Sequence, residues 1–183
     1  MSVSPENCIL IENGKKTVDI RKTRPKIKTP FKCYIYCVKG NIDSSFYCGL
    51  DGIKNGKITG EFICDEIYPV KVHSNCAVQN WNWFKLSRSC LSLKEIAKYI
   101  GANKTGYGWH ISDLVIYDEP KELSEFYAKC NKFDLDKKEV YEAHCTDCGN
   151  EYGIAPCKYI NKKWCIPVTK PPQSWCYVEK ITR

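Results

Sequence analysis

The stretch Gly14-Lys15-Lys16-Thr17-Val18-Asp19-Ile20-Arg21-Lys22-Thr23-Arg24-Pro25 carries the pattern from which the rest of the chain is interpreted. Its first residue is a glycine, which suits a turn, and polar and apolar residues then alternate from Thr17 to Arg21. Alternation with a period of two is typical of a β-strand with one buried face. We therefore predict a strand over residues 17–21 that follows a turn at Gly14.

The positive charge of the chain is concentrated around this predicted strand. Residues 14–32, called the basic window below, contain eight Lys or Arg residues and one acid, a net charge of 8 − 1 = +7. The whole chain of 183 residues has 28 basic and 21 acidic residues, 28 − 21 = +7, so the remainder is neutral. Charge this localised favours an anionic partner, although a solvated strand face with a basic loop is the alternative. The predicted phosphate contacts are Lys15, Lys16, Arg21, Lys22, Arg24 and Lys28.

The remaining elements are mostly short strands. Ser92-Leu93-Lys94-Glu95 is a capping box that predicts a helix ending at Gly101, and another helix is expected after Ser4. Short strands with two helices and no alternating βαβ units indicate an α+β fold that is mostly β. The other predicted strands are residues 31–38, 57–64, 67–72 and 106–117.

The pattern Gly-x-Lys-Thr-x-acid-x-Arg, after a short strand and a helix, is similar to the signature of ASCH domains. ASCH domains are small β-barrels of the PUA-like group, and several of them bind RNA or modified bases. Asp stands here at the acidic position, where Glu is commoner. The residues that carry the resemblance are Gly14, Lys16, Thr17, Asp19 and Arg21.

The resemblance implies a domain organisation. It predicts a PUA-like (ASCH) β-barrel with two flanking helices over residues 1–126. Residues 127–183 are then a small Cys-rich C-terminal module, which resembles the tail of a subgroup common in phages and prophages. The implied function is binding of nucleic acid, either RNA or a modified base.

Aromatic residues on a glycine-flanked strand are candidates for a pocket that stacks a base. Stacking contributes on the order of 1–3 kcal/mol per base. Thr17 and Asp19 are expected to hydrogen-bond a base edge beside this pocket. For each single aromatic residue, a place in the core is the alternative. The expected pocket residues are Tyr107, Trp109 and His110, with Trp81 or Trp83 beside them.

A second function class is catalysis. Some small ASCH proteins resemble amidohydrolases that deacetylate N4-acetylcytidine with a lysine, a threonine and a carboxylate. Lys16 matches that lysine, and a lysine of lowered pKa can act as a base. The reactive threonine would fall two residues after Thr17, where this chain has Asp19, and residues 86–90 contain no acid. Whether the chain is an enzyme therefore stays open, with Lys16, Thr17 and Asp19 as catalytic candidates.

The C-terminal cysteines suggest a metal site. Six of the 13 cysteines follow residue 129, and two of them form a Cys-x-x-Cys pair, the usual knuckle of a tetrahedral zinc site. Four thiolates would close the coordination sphere, so the zinc would be structural. Reduced thiols or disulfides are the alternatives. The predicted zinc ligands are Cys145, Cys148, Cys157 and Cys165.

The sequence has no signal-peptide pattern and no run of eighteen apolar residues. We therefore expect a cytoplasmic protein without a membrane partner. A third function class is a phage factor that binds a host protein through its basic face.

Overall fold

The computed structural model describes residues 1–40, 56–79, 83–129, 158–160 and 163–179. The chain divides after Pro120 into two compact units, which we describe separately. The helices are Pro5–Glu12 (α1), Trp83–Ser87 (α2) and Leu93–Ile100 (α3), and Leu123–Glu125 is a 3-10 turn. The strands are Ser2–Val3 (β1), Val18–Arg21 (β2), Phe31–Cys37 (β3), Lys57–Cys64 (β4), Ile67–Val72 (β5), Val78–Gln79 (β6), Lys104–His110 (β7), Ser112–Lys121 (β8), Tyr127–Lys129 (β9), Lys158–Ile160 (β10) and Lys163–Pro167 (β11).

The first unit is built on two four-stranded sheets. One has the strand order β1-β3-β4-β8 and the other the order β2-β7-β5-β6. The pairs β2–β7, β5–β7, β5–β6 and β3–β4 are antiparallel. A mostly β fold with few helices was expected and is confirmed. The expected closed barrel is not found among the described strands of this unit, which form two separate sheets.

The link between β2 and β3 connects the two sheets. Its residues 22–30 contain Pro25 and Pro30, which have no backbone N–H to donate to a strand partner, and no strand lies in it. The chain does not continue from β2 into a neighbouring antiparallel strand. Instead, β2 pairs with β7, and β3 pairs with β4 in the other sheet.

The predicted single strand over residues 106–117 is wrong, because this segment contains two strands. The change of sheet occurs at Ile111, whose N–H donates to the carbonyl of Thr17 at 2.9 Å. Asp113 follows with a positive φ of 46°, at the point where the backbone has left the sheet of β7 and enters the sheet of β4. As a result β7 lies beside β2, whereas β8 lies beside β4.

One apolar core cluster of this unit lies between one face of the second sheet and α3. Gly106 on β7 allows the close approach, because a Cβ there would lie 2.6 Å from the Cδ1 of Ile100. The core therefore fixes β2 and β7 against a helix. The buried residues of this cluster are Val18, Ile20, Val70, Val72, Leu86, Ile96, Ala97 and Ile100.

The capping box predicted at the start of α3 is confirmed. The hydroxyl of Ser92 accepts a hydrogen bond from the N–H of Glu95 at 3.3 Å. The carboxylate of Glu95 accepts in turn from the N–H of Ser92 at 2.7 Å and from its hydroxyl at 2.6 Å. These hydrogen bonds hold the pKa of Glu95 below its usual value.

We expect Ser92→Ala to lower the free energy of unfolding by about 1 kcal/mol, since an N-cap oxygen is lost. Because the pKa of Glu95 is lowered in the folded state, its contribution is present above the unfolded pKa and is lost as the pH falls through the folded one. Urea denaturation at neutral and acidic pH measures both effects, and Ser92→Thr is the matched control. An unchanged midpoint in Ser92→Ala would contradict the stabilising role of the cap.

The second unit contains a small three-stranded antiparallel sheet with the order β10-β11-β9. An isolated bridge pairs Tyr127 with Glu179 in the same unit. The predicted ligands Cys145, Cys148 and Cys157 lie outside the described residues, and Cys165 is described only through its backbone in β11. The zinc site and the boundary at residue 126 therefore stay predictions.

Candidate nucleic-acid interface

Strand β2 has two faces of different chemistry. Val18 and Ile20 point into the apolar core against α3. Asp19 and Arg21 alternate with them and so point to the other face. They lie opposite Trp109 and Tyr107 of β7, respectively, and directly paired residues of an antiparallel ladder share a face. The register thus brings together four of the residues that the sequence analysis selected.

An ion cluster occupies this second face. Asp19 Oδ2 accepts a hydrogen bond from Arg21 Nε at 2.5 Å, and Lys16 Nζ lies 3.6 Å from Asp19 Oδ1. Lys16 Nζ also donates to the carbonyl of Ser89 at 2.7 Å. The three charged residues are only 2% (Lys16), 6% (Asp19) and 6% (Arg21) exposed. Buried charge is costly unless it is paired, so the carboxylate of Asp19 stabilises both cations in the interior.

The environment of Lys16 changes its acidity. Burial of the ammonium group lowers the pKa of Lys16, and the attraction of Asp19 opposes this without cancelling it. A lowered pKa is one property that a catalytic lysine needs. The side chain is nevertheless buried and anchored at both Asp19 and Ser89. The burial of Lys16 and Arg21 favours an internal ion-pairing role, and their predicted contact with phosphates stays a prediction.

Trp109 is also inside the protein. It is 1% exposed, and its ring packs edge-to-face on Phe31 with a centroid distance of 5.7 Å and an interplanar angle of 88°. This arrangement is typical of a core aromatic pair. Tyr107 on the same strand is half-buried. Trp109 therefore lies in the core, which was the alternative to its predicted role in base stacking.

His110 is the last residue of β7, where it pairs with Val18, and Thr17 directly precedes β2. His110 Nδ1 is 2.6 Å from Asp65 Oδ1, and both side chains are partly exposed, at 38% and 47%. Burial works to raise the pKa of Asp65, but hydrogen bonds from His110 and nearby backbone outweigh it, so the pKa lies below its usual value. Thr17 is half-buried, and its N–H donates to the carbonyl of Arg88 at 3.1 Å.

Most cations of the basic window are on the surface. Removing the buried Lys16 and Arg21 from the eight leaves 8 − 2 = 6 exposed side chains. Lys22 lies over the ring of Tyr99 at 5.1 Å from its centroid, and Lys32 forms an ion pair with Glu61. The exposed cations are Lys15, Lys22, Arg24, Lys26, Lys28 and Lys32.

Helix α2 was not predicted from the sequence. Residues 81–84 show no periodicity, so no element was predicted there. The guanidinium carbon of Arg88 lies 5.1 Å from the ring centroid of Phe84, which is 67% exposed. The signal in the sequence was the density of aromatic residues, Trp81, Trp83 and Phe84, in one short segment.

Within the described ranges, no group of three or more His, Cys, Asp or Glu side chains could hold a metal ion. In the same part of the chain, no helix combines the length and apolar character needed to span a membrane.

Comparisons with known proteins give similarity at the level of solved structures. No protein-family model and no curated protein matches the sequence. The crystal structure of ASCH from Zymomonas mobilis is similar, with 19% identity, coverage of 67% of this chain and 71% of that chain, and a TM-score of 0.48. A single-substitution mutant of that protein has 20% identity, 67% and 72% coverage, and a TM-score of 0.49.

Proposed function

We propose that this chain binds nucleic acid, RNA or a modified base, through the exposed cations of the basic window. The observation that carries the proposal is the confinement of the net charge of +7 to residues 14–32. Phosphate groups are the ligands that such a cluster of Lys and Arg binds best, and binding releases counterions from the nucleic acid. The exposure of six of the eight cations supports the proposal.

The loop after β2 is the part of the window best suited to contact phosphates. Lys22, Arg24 and Lys28 are exposed there, whereas Pro25 between them is buried and anchors the loop. An anchored loop loses less conformational entropy on binding than a free one. We therefore assign the main backbone contacts to these three side chains, with Lys15 at the other end of β2.

The test is the affinity for a labelled single-stranded RNA, measured by fluorescence anisotropy over a range of salt concentrations. For single strands, log K falls with log salt by about 0.7 for each neutralised phosphate. The triple variant Lys22→Glu, Arg24→Glu and Lys28→Glu is expected to bind at least ~10-fold more weakly. If the three side chains neutralise three phosphates, the slope should become shallower by about 2.

The matched control reverses three exposed lysines outside the basic window: Lys39→Glu, Lys71→Glu and Lys170→Glu. It changes the net charge by the same amount as the test variant, so any difference between them reports position and not total charge. Equal losses in the two variants, or no binding by the wild-type protein at low salt, would contradict the proposed function.

A second candidate function is hydrolysis of a modified nucleoside such as N4-acetylcytidine. The lowered pKa of Lys16 is the observation that favours it, because a lysine of lowered pKa gives up its proton more readily and can then act as a base. Incubation with N4-acetylcytidine, followed by chromatography of the nucleoside, tests it. Turnover that disappears in Lys16→Met and persists in Lys22→Ala would support this candidate.

A further inference from the structure

Helix α2 presents two aromatic side chains to solvent. Trp83 is 63% exposed and Phe84 is 67% exposed, the two largest exposures among the large hydrophobic residues that the structure describes. Leu86, in the same short helix, is 2% exposed and belongs to the core. Leu86 thus holds the helix on the core, while the rings of Trp83 and Phe84 are exposed to solvent. We call Trp83 and Phe84 the aromatic patch.

Hydrogen bonds link the turn that follows α2 to the start of the basic window. The carbonyl of Arg88 accepts hydrogen bonds from the N–H groups of Thr17 and Val18, at 3.1 and 3.3 Å. The thiol of Cys90 donates to the carbonyl of Lys15 at 3.4 Å. These contacts join residues 88–90 to residues 15–18, so the segment that carries the patch is held beside the start of the basic window.

The charges around the aromatic patch are mainly positive. The guanidinium group of Arg88 lies over Phe84, and Lys85 lies over Tyr68 at 5.7 Å from the ring centroid. The carboxylate of Glu66 in this neighbourhood is paired with Lys85. An occupant of this surface therefore has to combine flat apolar rings with negative charge.

We propose that the aromatic patch is a stacking platform for the unpaired bases of single-stranded nucleic acid. The proposal rests on the proposed function and adds the class of ligand: unpaired bases stack on Trp83 and Phe84, while Arg88 and Lys15 lie along the phosphates. Aromatic side chains beside a positively charged track are the usual means of binding single strands without sequence specificity. Every base offers a flat face, so the platform accepts any of the bases.

The experiment compares two probes of equal length, oligodeoxythymidylate and an abasic oligodeoxynucleotide. Both carry phosphates, but only the first has bases to stack. Trp83→Ala and Phe84→Ala are each expected to weaken binding of oligodeoxythymidylate by roughly 5- to 150-fold, which corresponds to ~1–3 kcal/mol per stacked base. Binding of the abasic probe is expected to stay within about twofold, because its contacts are electrostatic. Trp83→Phe should keep most of the affinity, since it retains an aromatic ring.

Tyr177→Ala is the control for loss of an exposed aromatic ring, because Tyr177 is 48% exposed and lies in the other unit. Unchanged melting temperatures of the variants are expected, since both rings are on the surface.

Equal weakening for the two probes, or no weakening in either variant, would overturn the platform. If the triple variant of Lys22, Arg24 and Lys28 loses affinity while both ring variants keep it, the proposed function stands and the platform fails. If the wild-type protein binds neither probe, both fail.

Discussion

Asp19→Asn is expected to lower the free energy of unfolding by about 3–5 kcal/mol, the usual cost of breaking a buried ion pair by removing one partner. Asp19 is the shared counter-ion of Lys16 and Arg21, and all three side chains are 8% exposed or less. Asn has nearly the same shape as Asp, so the change removes the charge without leaving a cavity. Two cations would then remain in the interior without the negative charge of Asp19 between them.

Urea denaturation of the wild-type protein and Asp19→Asn measures this loss. Lys22→Ala is the matched control, since Lys22 belongs to the same basic window but is exposed, and a surface change of this kind usually costs ~0.5 kcal/mol or less. A loss below about 1 kcal/mol in Asp19→Asn would mean that Asp19 does not pair with Lys16 and Arg21 in the interior.

A double variant tests the coupling within the cluster. Lys16→Met removes one buried cation and leaves Asp19 paired with Arg21. We therefore expect it to lower the free energy of unfolding less than Asp19→Asn does. Combined with Asp19→Asn, it should recover part of the stability, because one uncompensated charge disappears. Strict additivity of the two changes would show that Lys16 and Asp19 do not interact.

The sequence predicted the local elements well because their signals are local. The capping box at Ser92 and the strand pattern of Lys57–Cys64 depend on neighbouring residues only, and both are confirmed. The division of residues 106–117 into β7 and β8 was not predictable in this way. It depends on which sheet each half of the segment joins. The N–H of Ile111 donates to the carbonyl of Thr17, which is distant in the sequence.

The same distinction applies to the candidate site. Charge counting located the basic window, and alternation located β2, but neither shows which polar residues are buried. Lys16 and Arg21 are inside because Asp19 lies within reach of both, and because Ser89 brings a carbonyl from a distant segment. Such pairing is a property of the tertiary structure. Exposed cations such as Lys22 and Arg24 are the part of the basic window that is accessible to a partner.

Trp109→Ala is expected to lower the free energy of unfolding by about 3–5 kcal/mol, as is usual for removing a large aromatic side chain from a core. Trp109 is the largest fully buried side chain among the described residues, and its ring packs edge-to-face on Phe31. Its removal leaves a cavity between β7 and β3 that neighbouring side chains fill only partly. Thermal and urea unfolding measure the loss directly.

The comparison of Trp109 with Trp83 separates a core role from a binding role. Trp109→Phe keeps an aromatic ring against Phe31 and should recover part of the stability. Trp83→Ala should leave the unfolding midpoint almost unchanged and weaken binding of oligodeoxythymidylate, because its ring is 63% exposed. If Trp109→Ala instead folded with wild-type stability and lost only affinity, the sequence-based prediction of Trp109 as a stacking residue would be correct, and its burial would have to open when nucleic acid binds.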